Sequence, residues 1–308
     1  MIHQTLSNSI GATEVPLFEA ERRSGFHNSI MFLRSGGEGT LGALLESHAA
    51  LRNRSRDLID LGSVYVNQIR ETDPERAVKE GDLLRVHQSP RRYSVGLSEE
   101  SIFFENEDFL VLNKPPNLPT HATVDNLKEN ALCILRKIRR EIYVLNRLDL
   151  ETRGLLVFAK TKSFQKEFQI LLQRRQLFKK YRARVDGKWI TPEGGSLLTH
   201  HMVKSFRSPK VISAIPKVDT QMCQLEVLDF SYNSNHHFSD LKIRLITGRS
   251  HQIRAQLAFE GYPLRGDTAY GSQNPYPFDL VCEELSWVDP RGRTHHFCIN
   301  STNTLNSY

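Results

Sequence analysis

Cysteine is scarce in this sequence: there are 4, at Cys133, Cys223, Cys282 and Cys298. They are widely scattered and form no C-x-x-C pair, which argues against a zinc site or a disulfide framework and fits a reduced cytoplasm. No apolar run approaches the roughly 18 residues that a membrane span needs. The N-terminus lacks the basic-then-apolar pattern of a secretory signal. There is no phosphate loop. The pairs His236-His237 and His295-His296 are adjacent, so they do not put two ligands on one face, and no metal site is expected. What is present is ordinary for a globular chain, with 39% hydrophobic and 25% charged residues. At 308 residues the chain is long enough for a sizeable core and more than one unit. Its net charge of +6 points to an anionic partner without naming one.

The most organised stretch runs from Tyr143 to Lys160, YVLNRLDLETRGLLVFAK. Apolar Tyr143, Val144 and Leu145 give way to Asn146, Arg147, Asp149, Glu151, Thr152 and Arg153. Gly154 then opens a continuous apolar run from Leu155 to Ala159. A run that short, bounded by Gly and Lys, fits a strand buried on both faces and fed by a polar loop. Loops held by rigid strands are where reactive groups sit. An Asp in a loop is commonly a turn or cap residue; Asp149 stands out by its company.

This stretch resembles the H-R-L-D-x-x-T-S-G-L-L-x-x-A-K motif of the RluA-like family of RNA pseudouridine synthases. It matches at Arg147, Leu148, Asp149, Thr152, Gly154, Leu155, Leu156, Ala159 and Lys160, and departs at Asn146 and Arg153. Three further segments agree in order. Asn113-Lys114-Pro115 through Pro119 and His121 is similar to the family's N-K-P-x-G-x-P-x-H. Lys179, Tyr181 and Ala183, in an alternating strand, are similar to K-x-Y-x-A. Thr247, Gly248, Arg249, His251, Gln252, Ile253 and Arg254 are similar to T-G-R-x-H-Q-I-R-x-H, with Gln256 in place of the last His. Gly266, Asp267, Tyr270 and Gly271 follow as G-D-x-x-Y-G.

The chain divides on paper into an N-terminal extension (1–38), a small module (39–88), a basic linker (89–101), a large domain (102–300) and a tail (301–308). The small module reads as two short helices and two strands. Ser55, Arg56, Ile59, Gly62, Val64, Val66 and Asn67 resemble the RNA-binding domain named after ribosomal protein S-four. Arg52, Arg54, Arg56, Arg70 and Arg85 favour a phosphate-facing surface; a small packing or dimerisation domain is the alternative. In the large domain a helix is expected over Leu127–Arg140, a second over Ser163–Gln176, and a third from His251 with Arg254 turned away from Ile253 and Leu257. Residues 188–235 suggest hairpins and loops, with a strand at Thr220–Leu228.

The resemblance implies an α+β fold with a long, mainly antiparallel mixed sheet, and a protein that acts on RNA, with ribosomal RNA ahead of transfer RNA; a monomer is expected, with the oligomeric state left open. It assigns Asp149 as nucleophile, Arg254 as the active-site cation and Tyr181 as the face on which the target base stacks. It assigns Arg147 to the gap left by the flipped base, and RNA contacts to Arg56, Asn67, His121, Arg249, His251 and Gln252. Breaking a carbon–nitrogen glycosidic bond, rotating the base and forming a carbon–carbon bond needs a carboxylate and no cofactor or metal. The alternative is an inactive RNA-binding or ribosome-assembly protein that keeps the fold, resting on Asn146, Arg153 and Gln256. A glycoside hydrolase using Asp149 and Glu151 is weaker still, since no other element looks like a sugar platform.

Overall fold

The computed structural model describes residues 11–15, 30–205 and 208–299. Two units emerge, one of residues 1–94 with 121–133, the other of 95–120 with 134–308. The expected tail 301–308 lies outside the described residues.

In the smaller unit, β1 (Ala12–Val15) pairs with β2 (Ile30–Ser35). The short β3 (Gly39–Thr40) leads into α1 (Leu41–Ser47), where the Thr40 hydroxyl caps the Ala43 N–H. Leu41, Leu44 and Leu45 bury its apolar stripe. α2 (Ser55–Asp60) ends at Gly62, whose φ of +66° is the left-handed stop its position foretold. β4 (Val64–Val66), β5 (Ile69–Glu71), β6 (Ala77–Val78) and β7 (Leu83–His87) complete the unit. The five-stranded sheet runs β1-β2-β7-β4-β5, and β3 pairs with β6.

Two boundaries differ from the sequence reading. The supposed extension supplies β2, which lies between β1 and β7, and Met31 and Leu33 join the core with Leu44, Ile59 and Val86. Residues 121–133 also belong here. Ser63 Oγ donates to the Asp125 carbonyl at 2.6 Å, Tyr65 Oη to the Val124 carbonyl at 2.9 Å, and the Leu127 N–H to the Leu61 carbonyl at 2.7 Å. Leu127, expected to open the helix, lies outside the one that forms. α3 is Ala131–Ile138, started by Asn130, whose side chain accepts from the Cys133 N–H.

The larger unit contains β8 (Ile102–Glu105), β9 (Phe109–Lys114), β10 (Tyr143–Val144), β11 (Arg153–Ala159), α4 (Lys162–Gln173) and β12 (Phe178–Asp186). There follow β13 (Leu197–Val203), β14 (Ile212–Ser213), β15 (Thr220–Asn233), β16 (Phe238–Leu245), α5 (Gln252–Phe259), β17 (Leu280–Val288) and β18 (Thr294–Cys298). Eleven strands form one sheet in the order β14-β13-β15-β16-β12-β17-β11-β9-β8, with β10 on β11 and β18 on β17. Region 188–235 is more regular than its Gly, Ser and Pro content implied: β15 runs on to Asn233 by pairing along all of β16. Phe109 stacks on Phe164 at 4.7 Å, and Trp287 on His295 at 5.0 Å, so His295 is a packing ring.

Among the described strands every pairing is antiparallel except that of β11 with β17. Gly154 makes that junction. Its φ is +108°, and a Cβ there would lie 2.3 Å from the Cys282 carbonyl oxygen. Both the dihedral and the contact exclude a side chain. Gly154→Ala is expected to destabilise the protein by roughly 3 kcal/mol or more, read as a lowered denaturation midpoint. A midpoint equal to wild type would show that the junction gives way easily.

Candidate active site

The loop between β10 and β11, strand β12 and the turn after β16 converge on a cavity of about 500 Å3. Asp149 comes from the first, Tyr181 from the second, Arg249 and His251 from the third, and Arg254 from α5, which follows that turn, with Arg147 at the same wall.

Asp149 is half-buried, and the backbone on either side of it is pinned. Thr120 Oγ1 accepts from the Leu148 N–H at 3.2 Å and donates to the Leu148 carbonyl at 3.1 Å. The Leu150 carbonyl accepts from the Asn117 N–H at 2.9 Å and from Lys114 Nζ at 3.1 Å. The Asn-Lys-Pro segment therefore works as a clamp on the Asp149 loop. Asn117 sits at φ +60°, a conformation that Asn tolerates and that Gly would adopt freely.

Lys114 is fully buried and also donates to the Pro115 and Leu118 carbonyls. Burial pushes its ammonium down to about 7, against the attraction of Asp149 and Glu151. Between that value and the ordinary 10.5 the folded chain binds fewer protons than the unfolded one, so stability rises with pH across this window. Chemical unfolding of wild type and Lys114→Met between pH 7 and about 10 is expected to show a steeper rise for wild type. Equal slopes would remove Lys114 as the source.

Arg254 is only 5% exposed. α5 is buried around most of its circumference, from Gln252 to Leu257, so Arg254 is not on an outer face as the periodicity suggested. Its fork grips Asp267, Nε to Oδ2 at 2.7 Å and Nη2 to Oδ1 at 2.8 Å. Nη1 approaches Glu151 at 3.6 Å. Burial works against the guanidinium charge, but Asp267, then Asp149 and Glu151, more than offset it and keep Arg254 cationic. Asp149 thus feels Arg254 through space, while the direct ion pairs go to its neighbours.

Tyr181 is 5% exposed. Burial, followed by Cys282 and Asp149, raises its phenol well above the ordinary value, so the hydroxyl keeps its proton. Lys179, also lining the cavity, is pulled down by burial. His251 sits at φ +57°. Its Nδ1 lies 3.1 Å from Tyr270 Oη and 3.0 Å from Ser208 Oγ, and its Nε2 lies 3.5 Å from Arg254 Nη1. A guanidinium only donates, so Nε2 is the acceptor and the proton belongs on Nδ1. Burial, with Arg254, favours this neutral ring over the attraction of Asp149.

Gln252 is buried, and its amide is committed inside the protein. Oε1 accepts from Thr247 Oγ1 and the Arg249 N–H, and Nε2 donates to the Gln224 carbonyl and Gln256 Oε1. It shapes the turn that presents Arg249. Arg147 and Arg249 are exposed. Arg56, Asn67 and His121 belong to the smaller unit. Arg56 is exposed near Glu46, while Asn67 bridges Asp82 and the Leu83 N–H. His121 Nδ1 lies 2.9 Å from the Ala122 carbonyl. Two of the five arginines expected to face phosphates turn inward: Arg70 and Arg85 stack on Tyr65 at 5.1 and 4.1 Å.

The residues that depart from the motif all have structural partners. Asn146 accepts from the Val157 N–H, Arg153 pairs with Asp279 at 3.1 Å, and buried Gln256 donates to His200 Nδ1 at 3.0 Å. Lys114 and Asp267 stand in the sequence motifs without a site role, and Glu151 only as the second carboxylate of the weaker hydrolase reading; only the fold shows what each touches. The Thr152 hydroxyl is buried and has no hydrogen-bond partner among the described residues.

Residues 108–259 match the family model described as RNA pseudouridylate synthase. Ribosomal large subunit pseudouridine synthase D of Vibrio cholerae is 29% identical, over 76% of this chain and 73% of that protein. A chloroplastic RNA pseudouridine synthase 6 of rice is 27% identical over 65% of this chain and 46% of its own length. A human pseudouridylate synthase is 30% identical over 75% of this chain and 40% of its own, so the chain spans less than half of these two relatives. Among solved structures, human RNA pseudouridylate synthase domain containing 1 overlays with a TM-score of 0.52 at 22% identity, covering 65% of this chain and 82% of that one, which shows a shared fold.

Proposed function

We propose that the chain is an RNA pseudouridine synthase of the RluA type, which isomerises specific uridines of structured RNA to pseudouridine, with ribosomal RNA the foremost substrate. The observation that carries this reading is the convergence of Asp149, Tyr181 and Arg254, from three separate elements, on one cavity. A uridine cannot react while stacked, so it flips into the cavity at a cost of a few kcal/mol. Arg147, exposed beside Asp149, fills the space left behind. The ring of Tyr181 carries the uracil face.

Asp149 then attacks the sugar carbon, or stabilises its positive charge, as the C1′–N1 bond breaks. The freed uracil turns until C5 faces C1′; the C1′–C5 bond forms as the bond from Asp149 to C1′, where one was made, breaks and returns the carboxylate; the C5 proton leaves and N1 takes one up. Electrons balance, so no oxidant or reductant takes part. Arg254 offsets the carboxylates around the cavity and stays fixed because Asp267 holds its fork. Tyr181 serves as a platform and hydroxyl donor in the state the burial favours. The inactive-protein reading loses support, because Asn146, Arg153 and Gln256 are each absorbed by a hydrogen bond or ion pair. The smaller unit, with Arg52, Arg54 and Arg56 on its surface, is proposed as an RNA-binding module of the ribosomal-protein-S-four type.

The test is pseudouridine mapping of total RNA from a deletion strain and its parent, complemented by wild type or by Asp149→Ala. Sites lost and restored only by wild type identify activity and substrate together. If no site is lost and the purified protein makes no pseudouridine, the protein binds RNA without modifying it.

A further inference from the structure

A second cavity, of about 250 Å3, adjoins the first. The two share the turn Gly248-Arg249-Ser250. The remaining wall includes Ser205, Lys210 and Gln221. Its chemistry differs from that of the active cavity. Among the described residues no carboxylate and no aromatic ring lines it, so it has neither a nucleophile nor a platform on which a base could stack. It offers two cations, hydroxyls and an amide. No described residue forms an ion pair or hydrogen bond with the Arg249 guanidinium, whereas Arg153, Arg182, Arg184 and Arg254 in the same unit are each paired with an acidic side chain.

Lys210 is anchored to the catalytic cluster. Its N–H donates to Tyr270 Oη at 2.8 Å, and the same oxygen lies 3.1 Å from His251 Nδ1. The Arg254 guanidinium sits 5.0 Å from the centre of the Tyr270 ring. Lys210 Nζ meets the Ser205 carbonyl and lies within the electrostatic reach of both Arg147 and Asp149. An RNA strand delivering a uridine to Asp149 brings phosphates towards a site already crowded with Asp149, Glu151 and Asp267. Those charges repel a phosphate everywhere except where cations outnumber them. The second cavity is such a place, next to the first.

Building on the function proposed above, we propose that this second cavity is a phosphate subsite, in which Lys210 and Arg249 hold a phosphodiester group flanking the target uridine. Lys210 is thereby a positioning and affinity residue, held in register with Asp149 through Tyr270 and His251.

The experiment uses the full chain and a short single-stranded uridine oligonucleotide carrying one neutral methylphosphonate, moved one linkage at a time. Wild type is expected to lose about tenfold in affinity at one linkage, and Lys210→Gln to be insensitive at that same linkage. Lys210→Arg is expected to restore the sensitivity. On unmodified oligonucleotide, Lys210→Gln should also flatten the dependence of log affinity on log salt by about one unit. Equal losses for wild type and Lys210→Gln at every linkage, or no sensitive linkage in wild type, would overturn the subsite. Pseudouridine formation by wild type on an unmodified large-subunit ribosomal RNA transcript is scored separately. A Lys210-dependent linkage without turnover leaves the subsite standing and removes the proposed function, and turnover without such a linkage does the reverse.

Discussion

Asp149→Asn is expected to abolish the proposed uridine isomerisation, lowering the single-turnover rate by more than about a thousandfold, while the protein folds and still binds RNA. The amide has nearly the shape of the carboxylate. The backbone that positions it is held by Thr120 on one side and by Lys114 and Asn117 on the other, none of which contacts the Asp149 side chain in doing so. Geometry is therefore preserved and chemistry is lost, since a neutral amide neither attacks the sugar nor balances its charge. RNA affinity should hold or rise slightly, because one negative charge near the phosphates is gone. Binding and pseudouridine formation measured on the same RNA decide it: wild-type turnover by this variant would remove Asp149 from the mechanism.

Arg254→Ala is expected to cost both rate and stability, and the two separate. Loss of a fixed cation beside the reacting centre slows the chemical step by about a hundredfold to a thousandfold. The partner Asp267, with its side chain 1% exposed, is left as an uncompensated buried charge, at a cost of roughly 3–5 kcal/mol. Adding Asp267→Asn removes that charge and should recover much of the stability and none of the rate. Denaturant unfolding and single-turnover kinetics on the two variants give the answer. A double variant that regains activity would mean that Arg254 serves the fold and not the reaction.

The short apolar run at Leu155–Ala159 and the alternation at Phe178–Val185 revealed their strands because each pattern is complete within one segment. The face of Arg254 was misjudged for the opposite reason. α5 is buried nearly all round, and only a partner far along the chain, Asp267, makes a charged residue acceptable there. The boundary at residue 38 failed similarly: nothing in residues 30–35 says that β7 lies on one side and β1 on the other. Residues 121–133 read as part of the large domain by position, but Ser63 and Tyr65 bind them elsewhere through backbone carbonyls, which any sequence supplies. Asn67 and Gln252 looked like RNA contacts by motif; their side chains are occupied by turns of the protein itself.

The parallel seam at Gly154 and Cys282 has a consequence for how the protein is made. The Asp149 loop hangs from the early side of that seam, and the strands carrying Tyr181 and leading to Arg254 lie on the late side. β17 is the strip that joins them, and it is synthesised after both. A nascent chain can build the β9–β11 hairpin-like half, and even the β12–β16 half, before the two are registered against each other. Distant pairings of this kind close slowly because the intervening chain must first be confined. Completion of the cavity should accordingly come late in biosynthesis, as one event, when β17 slots in.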